Sequence, residues 1–419
     1  MPETASRGTG RIVFVNRFFY PDNAATSRML SDLAFALAAR GFDVEVVTSR
    51  LDYAGGDARY PAYEEVEGVK VHRVRTTAYG RANLFKRSLD YLTFYVSATA
   101  KAATRLAAGD TVVAKTDPPL MSVPLALVAW RRRARLVNWL QDIFPEIAQA
   151  LGVRVVQGPV AGALKAARGV SVRADAANVV LGESMAARLR ALGAPPERIH
   201  VVPNWVDTER IQPVAHDDNP LRAAWDLSEA FVVMHSGNLG RAHDWRTILE
   251  AARRLQAHRD IRFVFVGGGH LYDRLQRSAA DEGLDNLVFQ PYQPSDRLTF
   301  SLSAADVHLS ALAPALEGLL VPSKLYGIAA AGRPIVHIGG RESEIADLAG
   351  TAGWGAVVRQ GDGAGLAETL LALRADQGRC VAMGEAGRRL AVSRFDRRFA
   401  LERWVDVLSP ATAGVRRAA

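Results

Sequence analysis

Residues 317–336 bring together side chains that can bind a phosphate. The stretch runs from Glu317 through a Pro-Ser-Lys turn and a helix of small residues into a Gly-Arg-Pro step and an apolar strand. We expect Ser323 to be the N-cap of that helix, with Lys324 in its first turn. Free N–H groups such as that of Leu325 and the lysine ammonium would then face one point, where a phosphate could bind. An ordinary strand–helix–strand unit with a solvated lysine is the alternative.

A glycine-containing loop at residues 236–244 lies between a predicted strand and a predicted helix. In doubly wound folds, ligands bind at the carboxyl ends of the strands. Gly237 and Gly240 would let the backbone approach a pyrophosphate, and the amide near Asn238 would add a hydrogen bond. Arg241 offers a bidentate donor, so this arginine and the lysine of the first stretch would together stabilise a departing diphosphate. The same glycines would also suit a plain strand–helix turn.

These two segments resemble the donor site of the retaining nucleotide-sugar glycosyltransferases of GT-B architecture, of the glycosyltransferase family 4-like type. The sequence is most similar to the bacterial exopolysaccharide and O-antigen enzymes, including those that transfer N-acetyl-L-fucosamine or fucose. The resemblance extends from about Arg11 to about Trp404 and implies an α/β fold with two doubly wound, Rossmann-like domains that face a central cleft. The sequence departs from the family at Gly327, where the second donor-site glutamate would fall and would contact the ribose.

The resemblance also assigns donor roles. Glu317 matches the first glutamate of the family and would hold sugar hydroxyls. Gly268 lies in a glycine turn that in the family lies under the donor, and Tyr292 follows a predicted strand where relatives contact the nucleobase. In the N-terminal loop, Thr26 and Ser27 would cap the first helix and donate to an oxyanion.

The acceptor side is predicted around Asp142, which follows a strand of the first domain. Many relatives have a His-Asp pair there, and Gln141-Asp142 replaces it. Asp142 would accept a proton from the acceptor hydroxyl or position it, with Glu146 as a second carboxylate to consider. Because the family retains the anomeric configuration and its leaving phosphate helps to take the proton, Asp142 would be a positioning group. A helix N-cap is the alternative role for Asp142.

Alternation of short β-branched runs with helical patterns predicts two Rossmann-like domains in series. We place the acceptor-side domain at 1–205 and the nucleotide-sugar-binding domain at 206–395. Residues 396–419 would form a helix that returns to the N-terminal domain, followed by a frayed tail.

Composition and net charge limit the cellular location and the kinds of binding partner that we expect. The chain has 419 residues, 49% of them hydrophobic, one cysteine and a formal net charge of +8. A single cysteine excludes a disulfide framework, and residues 1–10 lack the apolar core of a signal peptide, so we expect a cytoplasmic protein. The apolar stretch 118–130 is shorter than the roughly 20 residues that span a bilayer. It leads into the basic cluster 131–135, which suits either a core helix with a solvated end or peripheral contact with the anionic inner face of the plasma membrane.

We therefore expect a hexosyltransferase that uses a UDP- or GDP-linked sugar and a polyprenyl-diphosphate-linked saccharide acceptor. No cofactor or metal is expected, since the sequence lacks an Asp-x-Asp triplet and its histidines lack metal spacing. A nucleotide-sugar 2-epimerase of the same fold is the main alternative. A dinucleotide-dependent oxidoreductase would need a Gly-x-Gly-x-x-Gly motif after the first strand, which is absent. No nucleic-acid partner is expected, because the aromatic residues are not interleaved with basic ones in a recognition motif.

Overall fold

The computed structural model describes residues 10–22, 24–53, 60–79, 84–174 and 176–409, and it separates into two compact units. The first unit comprises the described residues up to Val202 together with those from Leu401 onwards. The second unit comprises Pro203–Ala400.

The first unit is built on one sheet. Its strands are β1 (Ile12–Val15), β2 (Val44–Ser49), β3 (Tyr63–Val66), β4 (Val69–Val74), β5 (Thr111–Lys115), β6 (Arg135–Trp139), β7 (Ala176–Val180) and β8 (Ile199–Val201). Its helices are α1 (Ala25–Ala39), α2 (Leu84–Arg105), α3 (Ser122–Arg132), α4 (Glu146–Ala150), α5 (Gly158–Arg173) and α6 (Glu183–Ala191). The strand order is β3-β4-β2-β1-β5-β6-β7-β8, and every pairing is parallel except the one between β3 and β4.

Burial on both faces explains why β1, at the centre of this sheet, is an uninterrupted apolar run. All four residues of β1 are buried, and Ile12 pairs in register with Val44 of β2 and Thr111 of β5. Helices α2 and α3 cover one face and bury Phe94 and Leu125 in the core cluster beneath them. Parallel strands covered by helices have this composition.

The second unit contains a smaller sheet that is wholly parallel. Its strands are β9 (Phe231–Asn238), β10 (Ile261–Gly268), β11 (Leu287–Gln290), β12 (Val307–Ala311), β13 (Ile335–Ile338) and β14 (Gly355–Val358). Its helices are α7 (Pro220–Ala224), α8 (Trp245–Arg254), α9 (Tyr272–Asp281), α10 (Leu298–Ser303), α11 (Lys324–Ala330), α12 (Glu344–Thr351), α13 (Gly363–Ala375) and α14 (Gln377–Leu390). The order β11-β10-β9-β12-β13-β14 changes direction at β9, because the chain moves outward to β11 and then returns to β12. The predicted pair of doubly wound sheets is confirmed.

The last helix, α15 (Arg397–Leu408), begins in the second unit and ends in the first. Trp404 is fully buried and packs edge-on against Trp139 of β6, with 4.7 Å between the ring centroids. Arg135, at the start of β6, donates to the carbonyl oxygen of Val407. These contacts attach the end of α15 to the sheet of the first unit. The predicted frayed tail at 410–419 lies outside the described residues.

Candidate functional site

The carboxyl ends of four neighbouring strands carry the predicted donor residues of the second unit. Strand β9 leads into the glycine loop, β10 into the glycine turn, β11 into the segment with the predicted base-contacting tyrosine, and β12 into the phosphate-binding stretch. Because parallel strands end at the same edge of a sheet, the structure places the loops with these residues at one edge. The residues concerned are Gly237, Asn238, Gly240, Arg241, Gly268, Tyr292, Glu317, Ser323, Lys324 and Leu325.

Two glycines of the β10 turn are required by close backbone packing. Gly267 and Gly269 have φ angles of 141° and 124°, and a Cβ on either would overlap atoms at the end of β9. The two loops are also hydrogen bonded, because the amide of Leu239 donates to the carbonyl oxygen of Gly268 at 2.7 Å. The glycine turn therefore fixes the β9 loop against β10. A Cβ on Gly268 would lie 3.2 Å from the ring of Tyr292, whose side chain is 60% exposed.

Lys324 is partly buried, and its ammonium lies against two histidines. Its Nζ donates to Nε2 of His235 at 2.6 Å and lies 3.4 Å from Nε2 of His243. The two imidazoles pack edge to face, with 5.3 Å between centroids, and His235 stacks against Phe265 of β10. Arg241, which the sequence groups with this lysine, is exposed.

The surroundings of Lys324 lower the pKa of the lysine and of both histidines. Burial lowers the pKa of Lys324 to about 7. Burial and the neighbouring lysine lower the pKa of His243 to about 3 and that of His235 well below its ordinary value. Both imidazoles are therefore neutral near neutral pH, and each can accept a hydrogen bond from the lysine. Sequence reasoning missed these two histidines as site residues. The one signal available was a histidine at the end of an apolar run that enters a glycine loop.

Glu317 is held by a backbone amide at the end of β13. Its Oε1 accepts a hydrogen bond from the amide of Gly340 at 2.8 Å. A Cβ on Gly340 would lie 2.5 Å from that oxygen and 2.9 Å from the other, so only glycine fits this approach. The bond occupies one of about four acceptor positions of the carboxylate, which leaves it able to bind hydroxyl groups.

Ser323 is the N-cap residue of α11 and Lys324 is its first residue, as predicted, but two of the predicted hydrogen-bonding groups differ from the prediction. Ser323 is exposed and makes no side-chain capping bond, because its backbone is already helical (φ −67°, ψ −18°) whereas a cap needs an extended residue. The amide of Leu325 is directed to the carbonyl oxygen of Pro322, at 3.4 Å. Helix α11 has only seven residues. At Gly327, where the family has its second glutamate, a Cβ would lie 3.1 Å from the buried Leu302.

In the first unit, Asp142 follows β6 and has one carboxylate oxygen, Oδ1, that is buried without a hydrogen-bond partner among the described residues. Burial and the nearby carboxylate of Asp117 raise the pKa of Asp142 to about 7. A small cavity of about 20 Å³ beside it is lined in part by Lys115 and Arg168, and such a volume holds one water. Asp142 is not a helix N-cap, since Pro145 occupies that position before α4.

The other carboxylate considered there, Glu146, has a structural role. It forms a buried ion pair with Arg168 at 2.5 Å. The predicted capping roles of Thr26 and Ser27 are also wrong. Helix α1 begins after Ala24 without a side-chain cap, and Ser27 is fully buried and so cannot reach an oxyanion in solvent.

Comparison with known proteins defines the class of this chain. Residues 25–205 match the glycosyl transferase 4-like domain, and residues 218–390 match glycosyl transferases group 1. Together with the two doubly wound sheets, these matches make the chain a glycosyltransferase of the GT-B fold and the hexosyltransferase type.

Individual relatives are more distant. The probable glycosyltransferase WbjE of Pseudomonas aeruginosa is 27% identical over 255 residues, which cover 61% of this chain and 64% of WbjE. The chain thus spans slightly less than two thirds of that protein. WcaI of Escherichia coli K12, named for glycosyl transfer in colanic acid biosynthesis, is 28% identical over 346 residues, covering 80% of this chain and 84% of WcaI.

Solved structures show the same fold. The complex of Anabaena Alr3699/HepE with UDP has a TM-score of 0.70 at 16% identity and covers 95% of this chain and 99% of HepE. WaaG, a glycosyltransferase of lipopolysaccharide biosynthesis, has a TM-score of 0.69 at 16% identity and covers 95% of this chain and 100% of WaaG. Among the residues that the structure describes, there is no cluster of three or more potential metal ligands, and no helix is long and apolar enough to cross a membrane.

Proposed function

We propose that this enzyme transfers a sugar from a nucleotide sugar to a lipid-linked saccharide during exopolysaccharide or O-antigen synthesis. The observation that carries the proposal is the pairing of Glu317, held at the end of β13, with Lys324, held at the end of β9, in one short stretch after β12. A carboxylate suits sugar hydroxyls and a cation suits a diphosphate. The UDP complex of HepE and the names of WbjE and WcaI support the same assignment.

In this proposal the leaving diphosphate is stabilised by Lys324 and Arg241, with amides near Gly237 and Asn238 as further donors. Metal-free stabilisation is feasible because two cations offset the charge that develops on the leaving group. Tyr292 would contact the nucleobase. The glycine turn that fixes the β9 loop would preorganise these donors before the nucleotide binds.

We further propose that transfer retains the anomeric configuration. The bond between the anomeric carbon and the phosphate oxygen breaks, the bond to the acceptor oxygen forms on the same face, and the acceptor proton passes to the leaving phosphate. Asp142 would position the acceptor hydroxyl. Asp142 follows β6 at the carboxyl end of the strand, where ligands bind in doubly wound folds, and this position supports the role.

Metal-free titration of UDP and GDP into the purified enzyme tests the donor site. One nucleotide is expected to bind, and Lys324→Ala and Arg241→Ala are each expected to weaken its binding strongly. Arg259→Ala is the matched control, because this arginine is 86% exposed and lies before β10, at the opposite end of the strands. Absence of binding of either nucleotide would contradict the donor site.

A transfer assay then tests the reaction. A panel of UDP- and GDP-sugars, including UDP-N-acetyl-L-fucosamine and GDP-L-fucose, is incubated with and without a polyprenyl-diphosphate-linked saccharide, and NMR of the product reports the anomeric configuration. Conversion of the donor without any acceptor would point to a nucleotide-sugar 2-epimerase instead.

We propose that α3 contacts an anionic membrane surface in the cytoplasm. Leu127 and Trp130 are 56% and 74% exposed, and Arg131, Arg132 and Arg133 beside them are also exposed. Apolar side chains next to a basic cluster suit the headgroup region of anionic lipids. Sedimentation with phosphatidylglycerol vesicles, but not with phosphatidylcholine vesicles, is expected. Trp130→Ser should reduce the bound fraction, and equal sedimentation with both vesicles would contradict the proposal.

A further inference from the structure

The lysine of the donor site has an environment that a simple phosphate-binding lysine does not need. Its two hydrogen-bond partners are the ring nitrogens of His235 on β9 and of His243 in the following loop. A third imidazole, His308 on β12, is fully buried and close enough for its charge to interact with that of Lys324. In the part of the chain that the structure describes, no carboxylate forms an ion pair with the ammonium.

Each imidazole is fixed by its own contacts. His243 Nδ1 lies 3.2 Å from both the amide nitrogen and the carbonyl oxygen of Gly240, so the backbone of the loop fixes the ring. In the tautomer that donates from Nδ1 to the carbonyl oxygen, Nε2 accepts from the lysine. His235 is held by packing between His243 and Phe265. Both imidazole rings are therefore held beside the lysine before any ligand arrives.

We propose that His235 and His243 are a positioning pair for Lys324, and that binding of a nucleotide sugar at this lysine takes up one proton. The inference rests on the proposed function, because it places the diphosphate at Lys324. Two neutral acceptors orient the amine in either protonation state but do not compensate a buried charge. A bound diphosphate supplies the missing counter-charge and favours the ammonium form.

The expected pH dependence follows from the proton balance. Below about pH 7, where the free lysine is already an ammonium, affinity is independent of pH. Above that pH, the free enzyme must gain a proton to bind, so the dissociation constant rises about tenfold for each pH unit until the pKa of the complex is reached. We expect binding to be about tenfold weaker at pH 8 than at pH 6.

Isothermal titration calorimetry with UDP-glucose and GDP-mannose tests this inference. Both phosphates of these probes are diesters, so any proton taken up near neutral pH enters the protein. Titrations in buffers of different ionisation enthalpy should give close to one proton at about pH 8 and close to none at about pH 6. Binding without proton uptake at the higher pH would overturn the inference and leave the proposed function standing. Absence of binding of either probe, and of UDP and GDP, at both pH values would overturn the proposed function and this inference with it.

Variants separate the lysine from the histidines. Lys324→Arg keeps a permanent charge, so it should bind without proton uptake, and uptake that persists would assign the proton elsewhere. His235→Phe keeps a ring against Phe265 but removes the acceptor, so it should weaken binding about tenfold. His243→Gln should bind more tightly than His243→Phe, because its amide oxygen can accept from the lysine. Equal affinities for that pair would overturn the role of His243. His258→Phe, which alters a histidine beyond the end of α8, is the control.

Discussion

Replacement of Gly340 by alanine should displace the carboxylate of Glu317 without changing the glutamate itself. The new methyl group would lie 2.5 Å from Oε1 of Glu317, closer than van der Waals contact allows, so the carboxylate must rotate away. Rotation breaks the 2.8 Å bond from the Gly340 amide. Gly340 does not have a positive φ, so the substitution adds no backbone strain of its own.

The magnitude follows from the bond that is lost. A hydrogen bond to a charged group contributes about 1.5–3 kcal/mol. If the carboxylate must hold a sugar hydroxyl in the transition state, loss of its position should lower kcat by about 10- to 150-fold. Binding of the free nucleotide should not change, because the contacts proposed for the diphosphate and the base do not involve Glu317.

Initial rates of sugar transfer and calorimetric titration of the nucleotide would be measured on Gly340→Ala, Glu317→Gln and wild type. Gly350→Ala is the matched control, because a Cβ there meets nothing within 4 Å and the residue lies in α12. A folded Gly340→Ala enzyme with a kcat within about twofold of wild type would refute the assignment of Glu317. Weakened nucleotide binding in the same variant would instead indicate a wider disturbance of the site.

Three further predictions concern stability. Glu146→Ala leaves the Arg168 guanidinium buried and unpaired, so urea unfolding should show a loss of about 3–5 kcal/mol. Trp404→Ala removes a fully buried side chain that packs against Trp139 and should cost about 3–5 kcal/mol by the same measurement. Asp142 has a folded pKa of about 7 against an ordinary 3.8, so its ionisation opposes folding. Wild type should therefore lose stability relative to Asp142→Asn as the pH rises from 3.8 to about 7.

Each of these predictions has a clear contrary result. Glu183→Ala, at an exposed glutamate paired to Arg190, is the control for Glu146→Ala and should change stability by less than about 1 kcal/mol. Equal losses of unfolding free energy in the two variants would show that burial of the ion pair between Glu146 and Arg168 does not affect stability. Trp130→Ala, at an exposed tryptophan, is the control for Trp404→Ala. A constant stability difference between Asp142→Asn and wild type across the pH range would mean that Asp142 is solvated.

Strands buried on both faces could be predicted from the sequence almost to the residue. Short β-branched and apolar runs in the sequence predict strands at Thr111–Lys115 and Arg135–Trp139, and these bounds coincide with β5 and β6. The edge strand β3 was missed, since Tyr63–Val66 contains two glutamates and is partly exposed. Helix α14 was missed as well. It contains three glycines, and Gly384 packs directly onto the backbone of Gly332.

In the site, as in the fold, the sequence predicts features that depend on neighbouring residues and does not predict those that depend on tertiary contacts. Glu317 and Lys324 are recognisable from their neighbours in the chain. The groups that hold them, Gly340 and the two histidines, lie on or just after other strands. Ser323 occupies the predicted N-cap position, but its side chain makes no capping bond, because a backbone angle and not the residue type decides whether a serine side chain caps. Sequence patterns alone could not identify the residues that hold Glu317 and Lys324, because the contacts join different segments of the chain.

The position of Lys324 beside neutral imidazoles should lower the folding stability of the ligand-free enzyme, although it suits the proposed function. A buried amine without a counter-ion lowers stability, so an apolar residue of similar length should fold better at this position. We expect Lys324→Met to raise the melting temperature of the ligand-free protein while abolishing nucleotide binding. Under the proposed function, the bound diphosphate would supply the counter-charge that the ligand-free protein lacks, so the cost to stability would be recovered only in the complex.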